Sequence, residues 1–172
     1  MAKRLNLREY QQNLSDKLRA ENLSVARAAT LGVQIGGQTW LVDMVDIGEV
    51  LAMPALTAVP FTKPWYRGVA NVRGKLYGVV DVAAFRQGEG IAESGSGQAT
   101  GDINNRILLV ADRYGFDVAL QVDHVLGLRD ARNWRQSSFG AQVEYHDEHG
   151  TAWQKLDISA LLSQAEFLQI GS

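Results

Sequence analysis

The amino-acid sequence predicts a mainly β fold of small barrels or a sandwich, and three observations carry that reading. Apolar residues recur with a period of two in short runs, the runs stop at turn-forming glycines such as Gly74, Gly115 and Gly150, and no regular strand–helix–strand alternation appears. Length agrees: a chain of 172 residues, 46% hydrophobic and 21% charged, makes one domain with room for two lobes and buries a core without staples.

The elements follow in order. Leu7, Tyr10, Leu14 and Leu18 are spaced three, four and four among Gln, Glu, Lys and Arg residues, which predicts an amphipathic helix within an N-terminal segment, 1–28. Its apolar stripe either lies back on the parent domain or grips a partner helix, and both readings stay open. The second region, 29–170, opens with Leu31, Val33 and Ile35 on one face, a positive-φ turn at Gly36-Gly37 and a return through Trp40, Val42 and Met44, which is a hairpin pattern. Further strands are expected over 45–51, 69–72, 75–80, 106–113, 116–127 and 151–156. Two helices are expected besides, a short one over 82–86 and a C-terminal one over 158–168 with Asp157 as its N-cap. Over 87–102, five glycines stand among Ser94, Ser96 and Thr100, with Ile91 the only large apolar residue; this predicts a mobile surface loop between two groups of strands.

Composition narrows the function. Seventeen Lys and Arg against 19 Asp and Glu leave a net charge of -2, without the basic face that nucleic-acid phosphates require, so no nucleic-acid partner is expected. The absence of cysteine excludes thiol catalysis, zinc–thiolate sites and disulfide frameworks. No secretory leader is recognisable at the start, and the longest apolar runs, such as 107–111, are about a quarter of the roughly 20 residues that cross a bilayer. A cytoplasmic protein without direct membrane insertion is expected.

No motif marks a catalytic, cofactor or metal site. Gly74-Lys75 is followed by Leu76 rather than Ser or Thr, and no strand–glycine–helix order fits a dinucleotide. His146 and His149 flank Asp147 and Glu148 near Glu144, but in extended backbone their odd spacing puts the rings on opposite faces, so a solvated hairpin turn is expected instead of a metal site. His124, beside Asp123, reads as a hydrogen-bonded structural or interface histidine. Arg129, Arg132 and Arg135 surround Trp134; base stacking is conceivable there, yet the overall charge favours a solvated connecting segment. Trp40, Trp65 and Trp153 are expected to anchor the core.

The most informative stretch runs from Pro60 to Asp81. A strand ending in Asn71-Val72-Arg73-Gly74 and returning through Leu76 to Val80 predicts a hairpin whose tip carries a permanently charged guanidinium. Such an arginine serves either a partner carboxylate or only solvent.

At this point the sequence resembles the CheW family of chemotaxis adaptors, over about 29–162. The strand pair from Gly37 to Met44, with Ile47-Gly48-Glu49-Val50, is similar to the family's opening. Pro60, the spacer to Gly68, and Gly68-Val69-Ala70-Asn71-Val72-Arg73-Gly74 followed by Val79-Val80-Asp81 resemble its most specific motif. Ala119-Leu120-Gln121-Val122-Asp123-His124-Val125 resembles a second-lobe strand, with Ala119 and Gln121 departing from the usual glycine and aliphatic residue. The close, Trp153 to Ile158 and then Leu161-Leu162, resembles the last strand and helix. Within the family, the chain is most similar to the PilI type of pilus-associated chemosensory systems that govern twitching motility. The resemblance implies two intertwined, five-stranded, SH3-like β-barrel subdomains sharing a hydrophobic core. It also implies a non-catalytic adaptor without cofactors, which binds the cytoplasmic tip of a chemoreceptor and the regulatory domain of a CheA-type histidine kinase and is recruited to membrane-bound receptor arrays. Partner contacts are implied at Ile47, Glu49, Asn71 and Arg73 in the first lobe and at Val125 in the second, with charged specificity from Glu49 and Arg73 around apolar contacts from Ile47. The competing reading is a β-barrel scaffold of an unrelated complex.

Overall fold

The computed structural model describes residues 29–88, 105–139 and 142–171. The helix expected within 1–28 and most of the loop expected over 87–102 lie outside the described residues.

Among the described residues twelve strands and three α-helices follow one another: β1 (Thr30–Ile35), β2 (Gln38–Asp43), β3 (Ile47–Ala52), β4 (Leu56–Thr57), β5 (Tyr66–Val72), β6 (Lys75–Asp81), α1 (Val82–Gly88), β7 (Arg106–Val110), β8 (Val118–Val122), β9 (His124–Arg129), β10 (Arg135–Phe139), β11 (Gln142–His146), β12 (Ala152–Leu156), α2 (Ile158–Leu162) and α3 (Ala165–Leu168). They form two sheets, ordered β10-β11-β12-β2-β1-β9 and β3-β7-β8-β6-β5-β4. Each sheet has six strands among the described residues where five were expected; in the second sheet one of the six is the two-residue β4, zipped onto β5.

The two sheets are interleaved in the chain. Strands β3 to β8 fill one sheet, while β1, β2 and β9 to β12 fill the other, so the chain changes sheet at Met44–Asp46 and again at Asp123. At Asp123 the backbone N–H donates to Gln34 O (2.9 Å) and a carboxylate oxygen accepts from Gly37 N–H (3.4 Å). The run expected as one strand over 116–127 is therefore two strands in different sheets, and the loop at 87–102 does not divide one lobe from the other. Apolar alternation looks the same on both sides of such a crossing, which hides it from the sequence.

Period-two alternation places Val33, Val42, Leu108 and Leu120 at zero exposure in a main core shared by both sheets and by α1 and α2. Each such side chain stabilises the fold by roughly 2 kcal/mol through burial. A second core, built from Ala70, Tyr77, Val79, Ile107, Leu109 and Ala119, lies on the other face of the β3–β8 sheet. The three expected tryptophan anchors are buried: Trp40 and Trp65 in the main core, Trp153 on the outer face of the other sheet.

Two expectations need correction. The arginine-rich connecting segment continues into the β10–β11 hairpin, where Trp134 packs 5.5 Å from Trp153 and the Arg129 guanidinium lies 5.4 Å over the Trp153 ring. Gly32 makes room for that ring, since a Cβ there would meet it at 2.9 Å. The C-terminal helix is also interrupted. Asp157 caps α2 as expected, accepting from Ala160 N–H at 2.9 Å, but Gln164 is extended, and α3 then turns Phe167 onto Trp65 in a 6.0 Å stack.

Candidate partner-binding surface

The β5–β6 hairpin closes through a two-residue turn, with Val72 opposite Lys75 and with Arg73 and Gly74 at φ 54 and 87. Positive φ at both central residues is the turn whose twist matches the strands, and glycine takes the second place at no steric cost. Arginine in the first place costs about 1 kcal/mol. Two contacts offset that cost. Asn71 Oδ1 accepts from Gly74 N–H at 2.8 Å, and the Arg73 guanidinium donates in fork geometry to both Glu49 oxygens, at 2.6 and 2.8 Å.

Glu49 stands on β3, which in sheet order is four strand spacings from β5, roughly 19 Å if the sheet were flat. The fork thus requires the sheet to curl. The Arg73 side chain is 74% exposed and that of Glu49 33%, so the pair contributes no more than about 1 kcal/mol to folding. Its main physical effect is to hold a planar donor and a carboxylate in a defined orientation at the surface.

Neighbouring charges are also paired. Lys75 Nζ lies 2.7 Å from Asp117 and 3.1 Å from Asp112, and these hydrogen bonds, Asp117 first, raise its pKa. Behind the hairpin, Tyr114 donates to buried Asp46 at 2.7 Å and Arg113 bonds the same carboxylate; burial, with the Asp46 contact added, raises the Tyr114 pKa. Leu76, directly opposite Asn71, is 61% exposed and gives the tip an apolar face.

The structure brings together three of the five sequence-derived candidates: Glu49, Asn71 and Arg73. Ile47 is not beside them at the surface. It is 7% exposed, pairs with Val110 and belongs to the main core, because a bulge between Ile47 and Glu49 sends these two residues to opposite faces of β3. The apolar contact expected from Ile47 is made with the core. Val125 lies in the other sheet, on β9 opposite Val33, half-buried against the main core. Leu76 and the Lys75 network were missed; the only local signal for them was their place beside the Arg73-Gly74 turn.

Two of the other candidates, His146 and Asp147, have structural partners. His146 Nε2 is 2.9 Å from Ser137 Oγ, and Asp147 ties the β11–β12 turn by accepting from Trp153 Nε1 (3.0 Å), His149 N–H (2.9 Å) and Thr151 N–H (2.8 Å). His124 lies opposite Gln34 at the start of β9. Among the described residues no three His, Asp or Glu side chains are grouped to hold a metal ion, and no helix is long and apolar enough to cross a membrane. What the hairpin tip offers chemically is recognition: an aligned charge pair beside an apolar side chain.

Protein PilI of Pseudomonas aeruginosa is 36% identical over 74 residues, covering 43% of this chain and 42% of that protein, so the match spans less than half the length of that relative. The fold is similar to that of the scaffolding protein TtCheW from Thermoanaerobacter tengcongensis, with a TM-score of 0.57 at 18% identity over 77% of this chain and 90% of that one. The CheW-like domain matches residues 29–166, a span that includes all twelve strands, and the chain therefore belongs to the CheW-like domain family.

Proposed function

We propose that this protein is a non-catalytic adaptor that couples a methyl-accepting chemoreceptor to a CheA-type histidine kinase in a chemosensory system governing type IV pilus twitching motility. Family membership and the partial likeness to PilI support the pathway. The observation that carries the adaptor reading is the Glu49–Arg73 fork at the hairpin tip. An exposed ion pair is inexpensive to rearrange, so a partner carboxylate can take the guanidinium, or a partner cation can take Glu49, at a cost of no more than about 1 kcal/mol. Leu76 supplies an apolar contact beside the exchange, and Asn71 acts indirectly by holding the turn. Val125, in the other sheet, belongs to a separate contact. The protein works in the cytoplasm, recruited to receptor arrays.

Reconstitution tests this reading. The cytoplasmic fragment of the receptor, the kinase and this protein are combined, and kinase autophosphorylation is measured with and without the adaptor. Activation is expected only when all three are present. Arg73→Ala is expected to weaken complex formation by about 2 kcal/mol or more, as for a central interface arginine. A folded Arg73→Ala protein that assembles and activates like the wild type removes the hairpin tip from the interface.

A further inference from the structure

We propose that Asp46 is a positioning residue for the hairpin tip: it holds the turn that joins β7 to β8 against the β5–β6 hairpin, so that the two make one recognition surface. This rests on the adaptor reading, which gives that surface a partner. Asp46 is buried at the point where the chain changes sheet, three residues before Glu49. Its carboxylate accepts from the Tyr114 hydroxyl at 2.7 Å and from the Arg113 guanidinium, and its backbone O accepts from Ala111 N–H at 2.9 Å. Side chain and backbone of one residue thus hold the same turn.

From that anchor the turn reaches the hairpin. Tyr114 N–H donates to Ala111 O (3.1 Å) and Gly115 N–H to Asp112 O (3.0 Å), with Gly115 at φ 71, so residues 111–115 keep a fixed shape. Asp112 and Asp117, on either side of Gly115 in the chain, both reach Lys75, at 3.1 and 2.7 Å, and Asp117 O accepts from Gly78 N–H at 2.9 Å. Lys75 faces Val72 across the Arg73-Gly74 turn. Glu49, which takes the Arg73 guanidinium, follows Asp46 on β3. The acids that hold the tip, Glu49 to Arg73 and Asp112 with Asp117 to Lys75, therefore both lead back to Asp46. Exposed Phe116, between Gly115 and Asp117, joins Leu76 as a second apolar side chain near the tip.

Stability alone does not explain a carboxylate here. Burying a charge carries a desolvation cost that its partners only partly offset, and apolar side chains of similar volume fill such a place at least as well. The exposed ion pairs along the same path, those of Lys75 among them, contribute little to folding. What the carboxylate adds is direction. Tyr114 and Arg113 converge on one of its oxygens and fix where the turn lies, whereas apolar contact is non-directional and would let the turn slide. A surface held in place loses less freedom on binding, so an anchor beyond a partner's reach can set affinity.

The test uses the full chain and calorimetry with two separate probes, the receptor cytoplasmic fragment and the kinase regulatory domain. Asp46→Val with Tyr114→Phe replaces the buried bond by apolar side chains. This double variant is expected to bind about tenfold more weakly to whichever probe Arg73→Ala weakens, and to bind any probe that Arg73→Ala leaves unchanged within about twofold of wild type. Tyr114→Phe alone, which keeps the Asp46–Arg113 pair, is expected to lose about threefold on the same probe, and it decides the outcome if the double variant fails to fold. Added to Arg73→Ala, either change is expected to cost less than about twofold, because the surface it orients has already lost its main contact. In the free protein, amide exchange is expected to quicken about tenfold at Gly78, whose N–H meets Asp117, and not at Val33 in β1. Unchanged binding of the variants, a loss on a probe that Arg73→Ala leaves unchanged, an undiminished loss in the Arg73→Ala background, or exchange that quickens equally at Val33 overturns this proposal alone. Wild type that binds neither probe, or Arg73→Ala that binds both like the wild type, overturns the hairpin-tip surface of the adaptor reading and this proposal with it.

Discussion

Two left-handed residues that are not glycine, Arg73 and Phe61, sit near the two ends of β5, and the protein treats them in opposite ways. Arg73 is bonded inward: Asn71 secures its turn and Glu49 takes its charge, so the strained residue closes the end of a curled sheet. Phe61 is bonded only through the backbone and hydroxyl groups around it, and its ring meets solvent. Similar backbone strain therefore has different meanings. At Arg73 the strain is offset by side-chain bonds that also hold a charge pair at the surface; at Phe61 it is offset by the backbone frame and leaves an aromatic ring in solvent.

The strongest way to break the comparison is to break the strand that separates the two ends. Gly68 lies within β5 at φ 126, and a Cβ would meet Thr57 O at 2.3 Å. Gly68→Ala is expected to destabilise the protein by about 3 kcal/mol or more in urea unfolding, and to disturb both ends together. A loss below about 1 kcal/mol would mean that β4 moves aside freely and that the ends are not rigidly spaced.

A smaller effect is expected at the Arg73 end. Asn71→Ala should cost about 1 kcal/mol, the value of one side-chain to backbone bond that holds a turn. A double-mutant cycle of Glu49→Ala and Arg73→Ala should return a coupling of about 0.5 kcal/mol in folding, because the pair is largely exposed. Coupling well above about 1 kcal/mol would make the fork a clasp of the barrel rather than an exchangeable surface pair. At the other end the sign reverses: Phe61→Asn should raise stability by about 0.5 kcal/mol by relieving the backbone.

A third turn sharpens the contrast, because charge rather than backbone strain holds it. Asp147 accepts from the Trp153 indole and from two backbone N–H groups, which pulls its pKa below the ordinary 3.8. Below 3.8 the unfolded chain binds this proton more readily than the folded protein does, so stability rises with pH there. The contribution is present above the ordinary carboxylate range and is lost as pH falls through the depressed folded value. A melting-temperature series taken from just above the ordinary carboxylate range down through it should show this slope in the wild type and a flatter one in Asp147→Asn. Neither the Arg73 nor the Phe61 variants should change it.

Much of the fold was legible locally. The β1–β2 hairpin, the hairpin around Arg73, the Asp157 cap and the tryptophan anchors each rest on residues close together in the chain: alternating apolar side chains, a glycine where φ is positive, a carboxylate before a helix. The β10–β11 hairpin was not legible. Arg135-Gln136-Ser137-Ser138 shows no apolar alternation, and a distant partner, Trp153 beneath Trp134, helps hold the region. At the candidate site, Glu49 and Arg73 were both found, but not that they bind each other, since 24 residues separate them and only the curl of the sheet brings them together. Ile47 came from the family resemblance, and which face it takes was not legible: residues two apart share a face in a regular strand, and the bulge between Ile47 and Glu49 cancels that rule.

By itself the sequence determined most of the strands, the tight glycine turns and the residue types at the hairpin tip, because alternation and φ preference are properties of near neighbours. Tertiary structure decided the rest: where the chain changes sheet, which way Ile47 faces, that Arg73 closes on Glu49, and that Phe61 is left in solvent. Those outcomes depend on burying faces of both sheets at once, a condition that no short stretch of chain contains.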